Sequence, residues 1–313
     1  MGTTFTLAHL SDVHLQPMPP ISLGHWRPKR VLGYANWYRN RKGVHLRQVV
    51  DQLVADMAEQ KSDHIAVTGD LVNIGLPQEH AWALEWLRSL GPPDQVSVIP
   101  GNHDIYVRLP RDPGAMRWRD YMTSNAEGVQ LGASNAVDFP FVRRFGNVAL
   151  VGVNSAVPMP PIIAAGRVGH EQRARLADAL DALGREGLVR IVLIHHPPLP
   201  GQAPWSRGLR DAAQLEQILN THGAELILHG HNHTNTLAAC RWKSASVPVV
   251  GIASASIGRA YKDEPLGRYN LIRIQFDEGG HRIEIIGRGL TEPGGGVVEL
   301  ERRWLDTRAP VAS

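Results

Sequence analysis

Apolar positions recur along this chain in two rhythms, one suited to strands and one to helices, and the two alternate. Residues 5–10 run apolar and give way to Ser11-Asp12-Val13-His14, which predicts a strand that delivers a polar loop. Residues 44–60 place Leu46, Val49, Val50, Leu53, Val54 and Met57 at the spacing of an amphipathic helix. A second strand is expected at 64–68, ending in Gly69-Asp70-Leu71-Val72-Asn73. Pro77 suits the first turn of a helix running to residue 90, with Ala81, Leu84, Trp86 and Leu87 as its buried side. A third strand, 96–100, stops at Gly101-Asn102-His103-Asp104. Such alternation predicts right-handed βαβ units whose loops, at the carboxyl ends of the strands, carry the chemistry.

The rhythm continues with a helix around 113–122 and two strands, 136–144 and 147–153, joined as a hairpin. Residues 157–169, rich in Pro and Gly, read as a loop walling the site. A helix at 170–184 precedes a strand at 190–194 that ends in His195-His196-Pro197-Pro198. Another helix, 209–220, leads to a strand at 225–228 and then to His229-Gly230-His231-Asn232-His233. Beyond Thr234 the helices stop, and short strands are expected at 247–252, 269–276 and 281–286. A βαβ run followed by a β run predicts an α/β (α+β) chain with two packed sheets and helices outside. With no internal repeat and no linker, residues 1–313 read as one domain whose β-rich part is 236–305.

One stretch fits neither rhythm. The insert 16–43 opens with Pro17, Pro19 and Pro20, then interleaves Trp26, Tyr34, Trp37 and Tyr38 with Arg27, Lys29, Arg30, Arg39, Arg41 and Lys42. No acidic residue occurs between Asp12 and Asp51. Basic and aromatic residues so mixed suit an anionic lipid surface or a lipid-linked phosphate. They equally suit a surface excursion whose rings pack on the body of the protein.

Composition narrows the classes. The 313 residues carry a formal charge of only +3, with 43% hydrophobic and 20% charged residues, as in a soluble globular protein. So small a charge argues against an extended nucleic-acid surface. Cys240 is the only cysteine, which excludes an intrachain disulfide, and neither a secretory leader nor a bilayer-spanning stretch is evident. A cytoplasmic location is expected, with peripheral contact at the inner membrane surface if the insert meets lipid.

The strand ends supply the chemistry. Asp12 and His14 alternate by two, as do His231 and His233, so each pair can turn toward one site. Asp70, placed tightly after Gly69, is the candidate carboxylate to bridge two divalent ions about 3.5–4 Å apart, a spacing suited to displacement at phosphorus. Asn102 offers a neutral amide oxygen and His195 a further imidazole. Any one of these fragments alone is an ordinary turn. Their recurrence after five apolar runs describes a metal site.

The order Asp12-x-His14, Gly69-Asp70-x-x-Asn73, Gly101-Asn102-His103-Asp104, His195 followed by Pro197, and Gly230-His231-x-His233 resembles the calcineurin-like metallophosphoesterase superfamily over roughly residues 5–235. The resemblance implies a four-layer α/β/β/α sandwich with two mixed sheets flanked by helices. It implies a two-metal centre in which Asp12, His14, Asp70 and His233 hold one ion, and Asp70, Asn102, His195 and His231 the other. It further implies that His103, protonated, assists hydrolysis of a phosphodiester or pyrophosphate bond by metal-activated hydroxide, and that Asp104 orients His103. Mixed oxygen and imidazole ligation suits Mn, Fe, Zn or Co.

For the substrate, the Gly-Asn-His-Asp and His-His-Pro-Pro details resemble a bacterial phosphodiesterase branch acting on cyclic nucleotides and glycerophosphodiesters. Within the insert, residues 29–37 are similar to a stretch in the UDP-2,3-diacylglucosamine pyrophosphatases of lipid A synthesis. Arg30, Trp37, Arg259 and His196 are the expected substrate contacts, His196 being equally readable as a structural residue beside a ligand. Lys262 and Arg268 are further phosphate candidates. The partner expected is a phosphorylated small molecule or a lipid-linked phosphate. The contrasting reading is a binding protein that keeps the fold without the catalysis.

Overall fold

In the computed structural model, which describes residues 3–109, 112–130, 138–243, 245–278 and 280–305, two sheets organise the chain. The strands are β1 (Thr4–Leu10), β2 (His64–Val67), β3 (Val96–Val98), β4 (Phe141–Phe145), β5 (Val148–Gly152) and β6 (Val189–Leu193). They continue as β7 (Leu226–His229), β8 (Thr236–Trp242), β9 (Ala245–Gly251), β10 (Arg268–Asp277), β11 (Gly280–Leu290) and β12 (Val297–Leu305). The first sheet has the order β12-β11-β10-β1-β2-β3 and the second β4-β5-β6-β7-β9-β8. Parallel pairing joins β1 to β2 and β2 to β3, and likewise runs from β5 through β6 and β7 to β9. The late strand β10 pairs antiparallel with β1, so the C-terminal β-rich stretch completes the sheet that the N-terminus begins.

The helices are α1 (Pro28–Asn36), α2 (Arg47–Glu59), α3 (Pro77–Leu90), α4 (Ala126–Gln130), α5 (His170–Arg185) and α6 (Ala212–His222). Alternation along the strands of the second sheet assigns the layers. Val148 and Leu150 of β5, Ile191 and Leu193 of β6, and Leu226 and Leu228 of β7 join the core shared with the first sheet, α2 and α3. Their neighbours Ala149, Val151, Val192 and Ile227 face the other way, against Leu176, Leu180 and Leu183 of α5 and Leu215 and Leu219 of α6. A pleated strand can serve two cores only by turning successive side chains to opposite faces. The result is the α/β/β/α layering the resemblance implied.

Several expectations shift. The 113–122 helix is a 3₁₀ segment, Gly114–Tyr121, and residues 136 and 137 of the expected hairpin lie outside the described residues. The buried side of α3 is His80, Ala83, Trp86 and Leu87 together with Glu79, while Ala81 and Leu84 are half-buried. Glu79 is inside because its carboxylate accepts the backbone N–H groups of Asn73, Ile74 and Leu76, satisfying a loop that would otherwise bury unpaired donors. Strands β8 and β12 escaped the periodicity because both are sheet edges. β12 is charged along much of its length, as edges that avoid further pairing tend to be. The insert contains α1 followed by a π-helical turn, Trp37–Arg41.

Candidate metal centre

The loops after β1, β2, β3, β6 and β7 meet at one end of the two sheets. Backbone bonds stitch them together: Asp12 N to Gly69 O at 3.0 Å, His14 N to Asp70 O at 2.9 Å and Gly230 N to His195 O at 3.2 Å. Two glycines are required by close approach. A Cβ on Gly101 would strike the Asp70 carboxylate, and one on Gly230 would strike Ser11 Oγ and Asp12 Oδ2. Five residues here adopt left-handed backbone, Asp12 (φ 53°), His14 (42°), Asp70 (55°), His231 (70°) and His233 (56°). Each such non-glycine residue costs roughly 1–2 kcal/mol. Strain of this kind persists where surrounding contacts over-determine it, and it concentrates at functional sites.

The side chains converge as tightly as the backbones. Asp12, His14 and His233 offer ligand atoms within 4.8 Å of one another, and so do Asp70, His195 and His231. Asp70 Oδ2 stands 3.4 Å from His195 Nε2 and 3.9 Å from His14 Nε2, between the two groups. Asn102 Oδ1 and His231 Nδ1 lie 3.2 and 3.3 Å from His195 Nε2. The structure therefore brings together all seven residues expected as ligands.

The outward nitrogens fix the state of the inward ones. His14 Nδ1 donates to Val72 O (3.1 Å), His195 Nδ1 to Thr68 O (2.7 Å) and His231 Nε2 to Arg207 O (2.9 Å), while His233 Nδ1 meets the Glu264 carboxylate at 2.7 Å. Carbonyls and carboxylates only accept, so each ring carries its proton outward and turns a lone pair inward. Lone pairs and carboxylate oxygens pointed at one another need a cation among them. His14 Nε2 and Asp12 Oδ1 are buried without a hydrogen-bond partner, although Asp12 Oδ1 is only 3.2 Å from His233 Nε2. Without metal, protons take that place. Burial opposes charge on His195 and His233, yet Asp70 beside the first and Asp12 beside the second push both up to about 9. Orphaned atoms, mixed N/O donors and ring nitrogens held from behind all fit divalent metal.

A family model for calcineurin-like phosphoesterases matches residues 5–235. The chain belongs to that family. It is 23% identical over 234 residues to a probable cyclic nucleotide phosphodiesterase from Synechococcus, covering 74% of each chain. A dimetal phosphatase from Danio rerio superposes with a TM-score of 0.62 at 14% identity, over 94% of this chain and 98% of that one. A purple acid phosphatase from yellow lupin gives 0.57 at 11% identity, over 98% of this chain and 54% of that one. These two likenesses show a shared fold. As a member of this family the chain is placed among metal-dependent phosphoester hydrolases.

The phosphoesterase cleft, about 120 Å³, is lined by Asp70, Asn102, His103, His231 and His233, with Arg41, Arg207, Lys262, His45 and Tyr261 among the residues around them. His103 is held on both sides. Its Nδ1 donates to Asn73 O, and Arg41 Nη1 donates to its Nε2 at 3.2 Å. Because a guanidinium can only donate, Nε2 is unprotonated and the ring is neutral. Burial pushes His103 down to about 4, a shift that Asp70 resists and Arg41 reinforces. So held by Arg41, the ring differs from the protonated His103 expected for the hydrolytic step.

Asp104 does not touch His103. Its carboxylate accepts backbone N–H groups of Asp70, Leu71, Val72 and Gly101 at 2.8–3.1 Å, clamping the loop after β2 to the loop after β3. The ring of His103 is oriented instead by Asn73 O.

The expected substrate contacts are likewise corrected. Arg30 is buried, donating to the carbonyls of His25, Ile74 and Gly75, and so fastens the insert to the loop before α3. Trp37 is 7% exposed and packs with Tyr34 at a ring separation of 5.5 Å, away from the cleft. Both nitrogens of His196 are engaged, by Ser155 Oγ (2.8 Å) and Ala164 O (3.1 Å). That ring lies against His231 at 4.4 Å and pins the 157–169 loop, which is a structural role. Arg259 is exposed and outside the cleft lining, whereas Lys262 lines it, and Arg268 lines a separate crevice.

Four residues that matter here went unread in the sequence. Glu264 holds His233, Arg207 O holds His231, and His45 packs edge-on against His14 at 4.8 Å with Ser256 behind it at 2.7 Å. Arg41 was visible only as one cation among six in the insert. None of the four follows an apolar strand, the signal that revealed the rest.

Proposed function

We propose that this chain is a binuclear metal-dependent phosphodiesterase. In this reading Asp12, His14, Asp70 and His233 hold one ion and Asp70, Asn102, His195 and His231 the other. The observation that carries it is the place of Asp70 Oδ2 between His14 Nε2 and His195 Nε2, one carboxylate shared by two donor sets. Bound divalent ions would polarise phosphoryl oxygens and lower the pKa of a water toward neutrality. The protein's own part is to place and charge the site. Asp104 fixes the two loops that present Asp70 and Asn102, and the four ligand imidazoles are locked in their tautomers from behind. Arg41, Arg207 and Lys262 surround the mouth with positive charge suited to an anion.

A cleft of 120 Å³ holds a volume of about four waters, enough for a phosphoryl group and its attached oxygens. The remainder of the ester must extend over the mouth. The name of the Synechococcus relative supports a diester as substrate. To test the reading, metal-stripped protein is reloaded with Mn²⁺ and assayed on bis-p-nitrophenyl phosphate, cyclic nucleotides and glycerophosphodiesters. Metal-dependent turnover of a diester is expected. Metal binding with no hydrolysis of any phosphate ester would instead make this a binding protein.

A second reading, cleavage of a lipid-linked pyrophosphate such as UDP-2,3-diacylglucosamine at a membrane surface, is favoured by one observation. Leu23 (91% exposed), Val31, Leu32 and Tyr38 project from the insert beside exposed Arg27, Arg39 and Lys42. Apolar and basic groups together suit an anionic interface. No helix among the described residues is long and apolar enough to cross a membrane. Co-sedimentation with phosphatidylglycerol vesicles, together with turnover of the lipid substrate, decides it; absence of both removes the reading.

A further inference from the structure

Arg41 occupies the cleft for a reason the ligand set does not supply. It ends the π turn of the insert, where Lys42 N closes onto Trp37 O at 2.8 Å. Residues five apart on an α-helix face roughly 140° away from each other. Asn36 and Arg41 nevertheless both line the cleft, because the wider i to i+5 turn brings them to one side. Such turns are uncommon and cluster at functional sites. The turn is anchored at both ends, by the buried side chain of its first residue, Trp37, and by Val44 N and His45 N on the carbonyl of its last, Arg41.

The guanidinium at the end of this device is under-used. Its contact with His103 Nε2 takes one of five N–H donors, and among the described residues it makes no other hydrogen bond and no ion pair. The two carboxylates of the cleft are committed elsewhere, Asp70 to His103 N and the ligand imidazoles, Glu264 to His233. A planar cation with unsatisfied donors, beside a site that takes tetrahedral anions, matches two phosphoryl oxygens at once. The contact is a single hydrogen bond, so little is lost when it is exchanged for phosphoryl oxygens.

We propose that Arg41 is a substrate-contacting residue that grips the non-bridging oxygens of the phosphoryl group and leaves His103 Nε2 as it does so. The insert is then part of the active site. This rests on the phosphoesterase reading of the centre, and the experiment separates the two. Full-length, Mn²⁺-loaded protein is titrated with inorganic phosphate by calorimetry, which needs no turnover, and assayed in parallel on bis-p-nitrophenyl phosphate. Arg41→Ala is expected to weaken phosphate binding by about ten- to a hundredfold, the loss typical of a hydrogen bond to a charged group, and to lower kcat/KM in step. Metal content and thermal midpoint should be unchanged.

Millimolar guanidinium should restore part of the activity of Arg41→Ala, and Arg41→Lys should fall between, keeping charge without the fork. Arg185→Ala, an exposed cation on α5 outside the insert and the cleft, serves as the control and should match wild type. Wild-type phosphate affinity in Arg41→Ala overturns the proposal, and so does a loss that comes with loss of metal and is not rescued. A wild-type protein that binds phosphate but cleaves no ester sinks the hydrolase reading while leaving the role of Arg41 testable by the binding arm.

Discussion

The two walls of the cleft are built by opposite means. The ligand wall comes from strand ends, is almost wholly buried, and holds each ring from behind with a backbone carbonyl or a carboxylate. The insert wall is a helix and a π turn, largely exposed, fastened by Arg30 and Trp37 and presenting Arg41. Metal geometry tolerates little error, which so rigid a first wall would suit, and five strained backbones aim its candidate ligands. The second has looser demands, since a long cation must only reach an anion. Ligand identity should therefore be unforgiving, and the insert should tolerate change everywhere except at its anchors and its tip.

The sharpest way to break that contrast is at Asp70. Replacing it with Ala should abolish coupled metal binding and lower turnover by more than about a hundredfold, the upper range for removing a group that merely supports a ligand. A variant that kept both ions and most activity would deny the shared carboxylate. A milder effect is expected one step back. Glu264→Gln keeps the shape behind His233 but removes the charge, and metal affinity should fall about ten- to a hundredfold by competition with a chelator.

Protons offer a third probe. In the metal-free protein His195 and His233 are raised to about 9, above an unfolded value near 6.5, so at pH 7 both carry protons that metal must displace. Calorimetry in buffers of different ionisation heat should show about two protons released per chain at pH 7, fewer above pH 9, and weaker metal binding as pH falls. The same sign applies to stability. These two groups stabilise the metal-free fold fully below the unfolded value, and that contribution fades as pH rises through about 9.

The smallest effect on the centre belongs to the insert's anchor. Arg30→Ala removes donors from three carbonyls and should cost about 1.5–3 kcal/mol of stability, read as a fall in thermal midpoint, with metal affinity unchanged. If metal affinity fell as well, the walls would not be independent.

The same contrast explains what could be read from the residues alone. At the ligand wall, an apolar run followed by Asp, Asn or His is visible in one dimension, and the seven residues so marked converge. What stayed hidden there came from turns with no strand before them, such as Glu264, or acted through backbone, such as Arg207 O. For Asp104 the resemblance implied a partner of His103, whereas its carboxylate turns to four N–H groups across two loops. In the insert, Arg30 and Trp37 were singled out from six cations and four aromatics as substrate contacts, and only three-dimensional packing sorts those two to the inside and Arg41 to the cleft. Charge and ring content state what a segment can do; the turn that carries each residue decides which one does it.

The central claim, two metals sharing Asp70, has a direct measurement. Crystals of the Mn²⁺-loaded protein should show two anomalous scattering peaks on either side of the Asp70 carboxylate, one among Asp12, His14 and His233, the other among Asn102, His195 and His231. A single peak, or none in a protein that still cleaves a phosphodiester in the presence of chelator, would contradict it.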